Sequence, residues 1–442
     1  MQAEKGRLPK TPVDCTMHTM PSLNPEKQRR FALEVVSRLR AAGFEAYWAG
    51  GCVRDQLLGL TPKDYDVATN APPEKIRELF GHRRTLAIGA AFGVIAVLGP
   101  RGAGTVETTT FRRDAAYSDG RHPDSVTFGT AYEDAQRRDF TVNGLFFDPL
   151  EGRVIDFVGG QEDLAARRLR AIGKAHDRFA EDKLRMLRAI RLAAVHGFTL
   201  DEEITQAITE MAAEIRVVSA ERIAVEMERL LTDAQRAEGV RLLLESGLAA
   251  VLLPEIVPQT ETQRALFAEM LSALQRLGKE CSFPPALAVM LQYWVEASQA
   301  GAVCRRWRLS NRQRQRVCWL VSRRAALNNA PSLPPSVLYP LLAAEGGNDL
   351  VRFCEAIQTA DAQAIAYCRH LLVQPREVLD PPAVVTGDDL AAQGISPGPL
   401  YKTLLYRLRA AQLDGLIHSK TEALKLVEKW LAEEEKSKHT PK

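Results

Sequence analysis

Two aspartates one residue apart, Asp64 and Asp66, stand in the run Lys63-Asp64-Tyr65-Asp66-Val67. On an extended strand, residues i and i+2 face the same way. The two carboxylates would then project together and repel each other unless a cation sits between them. Mg2+ suits such a pair, because it takes oxygen ligands and is typically held by one or two carboxylates plus substrate phosphates. Two such ions can activate an attacking oxygen and stabilise a leaving one. A lone Asp-x-Asp is also a common solvated surface, so the reading depends on its neighbours. Upstream, AYWAGGCVRDQLLG sets Gly50 and Gly51 between an expected strand and an expected helix. Glycines there let a ligand approach the backbone, and a helix N-terminus offers free N–H groups and partial positive charge. Arg54, in the first turn, is within reach of a triphosphate. A Gly-Gly pair before a helix equally serves as a tight turn; it is the combination with the paired acids that points to phosphate chemistry.

The elements that must position these groups follow from the apolar pattern. Residues 1–24 are polar with scattered proline and read as a loose tail. The stretch 25–160 mixes helix and strand: helices over 28–42, 53–58 and 74–79, and strands over 45–49, 64–68, 93–98, 105–111 and 140–147. From about Asp163 onward, leucine and alanine recur at helical spacing, including a single helix over 178–195. The fold class expected is an α+β head with a mixed sheet, followed by an elongated all-α arm. Its divisions are a neck over 161–235, a body over 236–374 and a tail over 375–442, the last introduced by the proline-bearing linker 374–390.

The run GGCVRDQLLGLTPKDYDVATNAPPE resembles the head of polymerase-β-like nucleotidyltransferases. More closely, it is similar to the bacterial (class II) tRNA nucleotidyltransferases and poly(A) polymerases. Arg137-Arg138-Asp139-Phe140-Thr141-Val142-Asn143-Gly144 matches the family's RRDFTxNA, with Gly144 in place of alanine. Glu181-Asp182-Lys183-Leu184-Arg185-Met186-Leu187-Arg188-Ala189-Ile190-Arg191 matches EDxLRMLRAxR, and Leu192 replaces a usual phenylalanine. The resemblance spans about residues 27–432 and is most like the CCA-adding members. It implies Asp64 and Asp66 as Mg2+ ligands, Gly50, Gly51 and Arg54 as nucleotide-phosphate contacts, and Arg138 and Asp139 beside the incoming nucleotide. It implies nucleotide contacts at Asp182, Arg185, Arg188 and Arg191. Glu107, in TVETTTF, reads either as a third catalytic acid or as an ordinary strand-face charge.

Asp182 and Arg185 carry a physical argument of their own. On one helix they are i, i+3 neighbours. Ionised Asp only accepts hydrogen bonds and Arg only donates. The pairing edges of cytosine and adenine both show an amino donor beside a ring-nitrogen acceptor; uracil and guanine show the reverse. An Asp/Arg pair therefore fits C and A, and against U or G it leaves unpaired polar groups costing on the order of 1–3 kcal/mol each. That rejects the wrong bases without a nucleic-acid template. Arg188 and Arg191 continue the three-residue spacing, but each such step turns back by about 60°.

Residues 301–324 hold eight arginines and no acid. Arg grips phosphate through its planar fork, so Arg305, Arg306, Arg308, Arg312 and Arg316 are candidates for tRNA backbone; the alternative is a basic face paired with acids elsewhere. Trp307 and Trp319 read as core. Gly398, within SPGP, suits a turn or a close phosphate. The polar segment 111–128 matches a family loop that helps the site pass from C to A addition. Gly89-Ala90-Ala91-Phe92 lacks the basic pair of bacterial poly(A) polymerases, which favours a tRNA enzyme. None of the eight histidines lies between 197 and 369, so the His-Asp phosphohydrolase domain of some relatives is not expected.

Composition sets the frame. The 442 residues carry a net charge of +3, so any affinity for nucleic acid depends on local charge. The seven cysteines are odd in number with no C-x-x-C, which argues against a disulfide scaffold or a zinc knuckle and suits a reducing cytoplasm. No run approaches ~18 apolar residues and the start has no apolar h-region, so neither a membrane span nor a secretory signal is expected. The expected partners are tRNA, CTP and ATP; the activity implied is CCA addition, with A addition alone or poly(A) tailing as the alternatives.

Overall fold

The computed structural model describes residues 23–89, 92–114, 126–396 and 398–438. Most of the expected tail and the middle of the 111–128 and 89–92 segments therefore lie outside: residues 1–22, 90–91 and 115–125 are not among the described ones. The chain divides into two compact units, the first ending at Glu181 and the second beginning at Asp182.

The first unit opens with α1 (Pro25–Ala41). Asn24 caps it by accepting from the Lys27 N–H at 3.0 Å, and proline occupies its first turn. Phe31, Ala32, Val35, Val36 and Leu39 recur at helical spacing and are buried on its inner stripe. Then come β1 (Ala46–Ala49), α2 (Gly51–Leu57), β2 (Asp66–Thr69), α3 (Pro73–Phe80), β3 (Thr85–Gly89), β4 (Val94–Leu98) and β5 (Thr105–Thr110). Next are β6 (Arg112–Asp114), β7 (Val126–Phe128), α4 (Ala131–Gln136), β8 (Phe146–Asp148), β9 (Arg153–Ile155), α5 (Gly160–Ala165) and α6 (Ala175–Glu181). Seven strands form one sheet in the order β3-β4-β5-β2-β1-β8-β9. The β2–β5 pair is parallel and the others are antiparallel, giving the expected mixed sheet. One face is built on Tyr47, Ala49, Ala68, Phe111, Ala131, Ala135 and Phe146. On the opposite face Trp48 meets the edge of Tyr65 at 4.8 Å and stacks on Phe147 at 5.7 Å. The strands β6 and β7 pair as a ribbon flanking residues 115–125.

Three expectations are corrected in this unit. Strand β2 begins at Asp66, so Asp64 lies on the bend ahead of it. The strand expected over 140–147 is instead a 3-10 turn over Thr141–Asn143 followed by the short β8. Asp139 Oδ1 accepts from the Phe140 N–H at 2.9 Å and from Asn143 Nδ2 at 3.1 Å, a local side-chain bond that competes with a strand ladder. Residues 161–181, assigned from sequence to the neck, belong to the first unit, where α5 lies against that 3-10 turn.

The second unit is helical: α7 (Leu184–His196), α8 (Glu202–Met211), α9 (Ala220–Leu231), α10 (Arg236–Glu245), α11 (Leu248–Leu252), α12 (Glu261–Arg276), α13 (Phe283–Leu291), α14 (Ala297–Arg306) and α15 (Asn311–Val321). It continues through α16 (Pro335–Ala343), α17 (Gly347–Ala356), α18 (Ala362–Leu372), α19 (Arg376–Leu379), α20 (Gly387–Ala392), α21 (Pro399–Leu413) and α22 (Lys420–Lys438). The segment FPPALAVML of α13 is apolar all round and almost wholly buried, as a central helix must be. The last three helices share a small core of their own around Leu390, Leu404, Leu408 and Val427. No helix among the described residues is long and apolar enough to cross a membrane.

Candidate active site

The register of the sheet brings the acids together. Directly paired residues share a face; Phe146 pairs with Ala49, Ala49 with Asp66, and Asp66 with Glu107, so these four form one row across β8, β1, β2 and β5. Asp64 is exposed, Tyr65 buried and Asp66 exposed, so the two-residue alternation holds although only Asp66 is in the strand. Loss of hydration, then the fields of Asp64 and Glu107, push the Asp66 carboxyl up to about 7, and Arg138 opposes the rise. Three acids crowded in this way are what a hard cation relieves. Among the described residues no three acid, His or Cys side chains converge closely enough to hold a metal on their own. A Mg2+ ion completed by substrate phosphate oxygens needs only one or two carboxylates, so the donor set fits that ion.

The glycine turn sits beside this row. Gly50 has φ 75°, and a Cβ there would stand 3.0 Å from Arg138 Nη1. The backbone angle favours glycine, and a Cβ would press on the Arg138 guanidinium; at Gly51 a Cβ would meet only Arg54 Nη2, at an ordinary 3.6 Å. The Arg138 guanidinium lies 5.0 Å from the centre of the Phe146 ring. Asp134 holds it: Oδ2 accepts from Arg138 Nε and Nη2 at 3.2 and 2.9 Å, while Oδ1 accepts from Arg137 Nε and Nη2 at 2.9 and 2.6 Å. Asp134 is fully buried; dehydration raises its carboxyl, but the Arg138 and Arg137 guanidiniums outweigh that and hold it below the usual range.

Arg54 is gripped within the protein. It is 8% exposed, with Nε and Nη2 on Asp55 at 2.9 and 2.6 Å and Nη1 on Asn143 Oδ1 at 2.7 Å. These bonds brace α2 against the 141–143 turn and use three of the five guanidinium N–H donors. Asp139 is 8% exposed and belongs to the same network through Asn143.

In the second unit the expected single helix over 178–195 is broken at Asp182 and Lys183. Asp182 therefore precedes α7 rather than riding on it with Arg185. Its Oδ1 accepts from the Leu184 N–H at 3.1 Å and its Oδ2 from Arg222 Nη2 at 2.6 Å. The Arg185 N–H bonds to the Asp182 carbonyl at 3.0 Å, which keeps the two residues on one turn. Arg188 is half-buried in the middle of α7. Arg191 is bound to the buried Glu226 at 2.6 Å, and Glu226 also takes Arg229 at 3.0 Å. Burial lowers the pKa of Arg191 and Glu226 opposes the change.

The basic arm is largely met by acids. Acids from elsewhere in the chain meet Arg306 (Glu255, 2.8 Å), Arg308 (Glu221, 2.6 Å), Arg316 (Asp349, 3.2 Å) and Arg324 (Glu296, 3.0 Å), and Arg312 pairs with Glu345. The paired-face alternative therefore describes most of it. Arg305 and Arg314 show no acidic partner among the described residues and line a cavity of about 480 Å3 with Trp319. Trp307 is core at 2% exposure, whereas Trp319 is half-buried with Arg323 over its ring at 4.9 Å. Gly398 is extended at φ 173°, open to any residue.

Sequence reasoning missed Asp134, Asn143, Arg222 and Glu226. Asp134 stands three and four residues before the two arginines it grips, a helical spacing that was there to be read. Arg222 and Glu226 lie 40 and 35 residues from their partners and carry no local signal.

Comparison with known proteins matches this architecture. The family described as "Poly A polymerase head domain" matches residues 46–170, and "Probable RNA and SrmB-binding site of polymerase A" matches 197–259. The CCA-adding enzyme of Latilactobacillus sakei is 34% identical over 400 residues, covering 89% of this chain and 96% of its own. That of Limosilactobacillus reuteri is 33% identical, covering 87% and 93%. The crystal structure of the Bacillus stearothermophilus CCA-adding enzyme in complex with CTP superposes with a TM-score of 0.77 at 28% identity, over 93% of this chain and 99% of that one. With its mixed-sheet head, helical arm and end-to-end likeness to these proteins, the chain belongs to the CCA-adding enzymes of the class II nucleotidyltransferase family.

Proposed function

We propose that this enzyme rebuilds tRNA 3′ ends, adding C, C and A from CTP and ATP without a nucleic-acid template. In each step the tRNA 3′-oxygen bonds to the α-phosphorus, the bond from that phosphorus to pyrophosphate breaks, and the hydroxyl proton leaves to water. The observation that carries this reading is the row that sets Asp66 and Glu107 side by side on the face that Arg138 shares. Asp64 and Asp66 would hold Mg2+, with Glu107 beside them. When bound, the ion supplies a more acidic hydroxyl and neutralises phosphate charge.

The chain's own residues do the rest. Gly50 leaves open the space that a side chain would fill against Arg138. Arg138, anchored through Asp134, turns a fixed cation toward the acids and the phosphates they would serve. Asp139, Asn143 and Arg54 keep that turn from shifting. Asp182 accepts from the amino group shared by cytosine and adenine, and Arg185 donates to the neighbouring ring nitrogen. Gly51, Arg188 and Arg191 are assigned to the nucleotide side of the reaction, Arg191 through its pairing with Glu226. Arg305 is the arm residue best free to take a tRNA phosphate. The same reading sets the enzyme in the cytoplasm with its tRNA, and is supported by six described cysteines that are all free thiols.

The test is incubation of the purified protein and Mg2+ with tRNA lacking its CCA end, given CTP alone, ATP alone and both. CTP alone should add C and stop, and both together should complete CCA. Incorporation of A with never a C would overturn the proposal.

A further inference from the structure

We infer that Arg222 fixes Asp182 as a base-reading acceptor, and so decides specificity without touching the base. The inference rests on the proposed role of Asp182. Its two carboxylate oxygens have different fixed donors: Oδ1 the Leu184 N–H at 3.1 Å, Oδ2 the Arg222 Nη2 at 2.6 Å. A donor on each oxygen stops the carboxylate from turning about its own axis. Each oxygen keeps further lone-pair capacity for a ligand. Asp182 and Arg222 are also only 15% and 24% exposed at the side chain, so solvent screens the pair little.

The arrangement is built from two helices. Arg222 lies in the first turn of α9, and Glu226, one turn on, holds Arg191 in the middle of α7 at 2.6 Å. Residues four apart share a helix face. One face of α9 thus ties down α7 at its start and at its middle, and Arg222 is the tie at the start, where bases are read. Its absence changes what the carboxylate can tolerate. A locked acceptor cannot retreat from the carbonyl oxygen of uracil or guanine, whereas a released one can swing away and let water bridge the mismatch. Arg222 is accordingly a positioning residue, acting through Asp182.

The experiment compares kcat/KM for CTP and UTP in the full-length enzyme, on tRNA lacking its CCA end. Arg222→Ala should lower the CTP-over-UTP preference by roughly ten- to a hundredfold, the worth of one misplaced buried partner. Arg222→Lys, which keeps the charge but not the fork, should recover part of the loss. Glu214→Gln removes the neighbouring Lys183–Glu214 pair (2.7 Å) without touching the carboxylate, and should leave the preference unchanged. If Arg222→Ala does not fold, Arg222→Gln gives the same comparison. Equal slowing of both nucleotides with the preference intact would overturn the inference, and so would a matching loss of preference in Glu214→Gln. Asp182→Asn in the same assay separates the two layers. If it loses preference while the Arg222 variants keep it, the positioning role alone is wrong; if it too keeps preference, the base-reading role of Asp182 is wrong.

Discussion

Asp134→Asn is the sharpest probe of how the head holds its phosphate-facing cation. The wild-type carboxylate is fully buried and offers one oxygen to each of two guanidiniums, at 2.6–2.9 Å to Arg137 and 2.9–3.2 Å to Arg138. Asparagine keeps the shape but has one acceptor oxygen, and its amide N–H groups would face the other arginine. One arginine then loses its partner. Breaking a buried ion pair costs about 3–5 kcal/mol. Both arginines are 18% exposed at the side chain and partly rehydrate, so about 2–3 kcal/mol is expected here. The sign with pH follows from the lowered Asp134 carboxyl. Its stabilisation is complete above the ordinary value of 3.8 and is lost as pH falls through the lower folded value. The deficit of the variant should therefore be constant from neutral pH down to about pH 4 and shrink only below that. Urea unfolding, with hydrogen exchange followed on peptides spanning 131–143, measures it. If Arg138 is the arginine released, kcat/KM for CTP should also fall by about ten- to a hundredfold. Full activity together with a deficit under about 0.5 kcal/mol would show that the clamp positions nothing.

Asp64→Ala and Asp66→Ala should each abolish nucleotide transfer while tRNA binding, measured by filter retention, stays within about twofold; retained turnover would remove the metal assignment. Gly50→Ala should fold, yet lose at least about tenfold in kcat/KM, because φ 75° with ψ −130° costs a side chain about 1–3 kcal/mol and its Cβ would press on Arg138. Normal kinetics in that variant would contradict the close packing of turn and arginine. Arg305→Ala should weaken tRNA binding more than Arg306→Ala, and flatten the salt dependence by about one phosphate contact. The reason is that Glu255 already neutralises Arg306 in the free protein. Equal effects would mean that tRNA displaces the acid.

Much of this was legible in the residue string. The helix-strand alternation of the head, the helical periodicity of the arm, and the acids Asp64 and Asp66 beside Gly50 are local properties, set by spacing along the chain. Sequence also set Asp182 next to Arg185. What it could not show is where a regular pattern stops. The periodicity of 178–195 runs through Asp182 without a blemish, yet the Asp182 side chain takes the Leu184 N–H and the helix restarts there. The same local competition turned the strand expected at 140–147 into a tight turn.

The sequence by itself determined the chemistry available: paired acids, a glycine turn, an acceptor beside a donor. Only the tertiary structure decided which charges are free to use it. Glu107 acquires its place from the parallel pairing of β2 with β5. Arg54 acquires a partner in Asn143, 89 residues away, and most of the arm's arginines are met by acids from other parts of the chain. Charge acts through space, so the partner of a cation depends on which elements the fold brings alongside it, and a count along the chain cannot supply that.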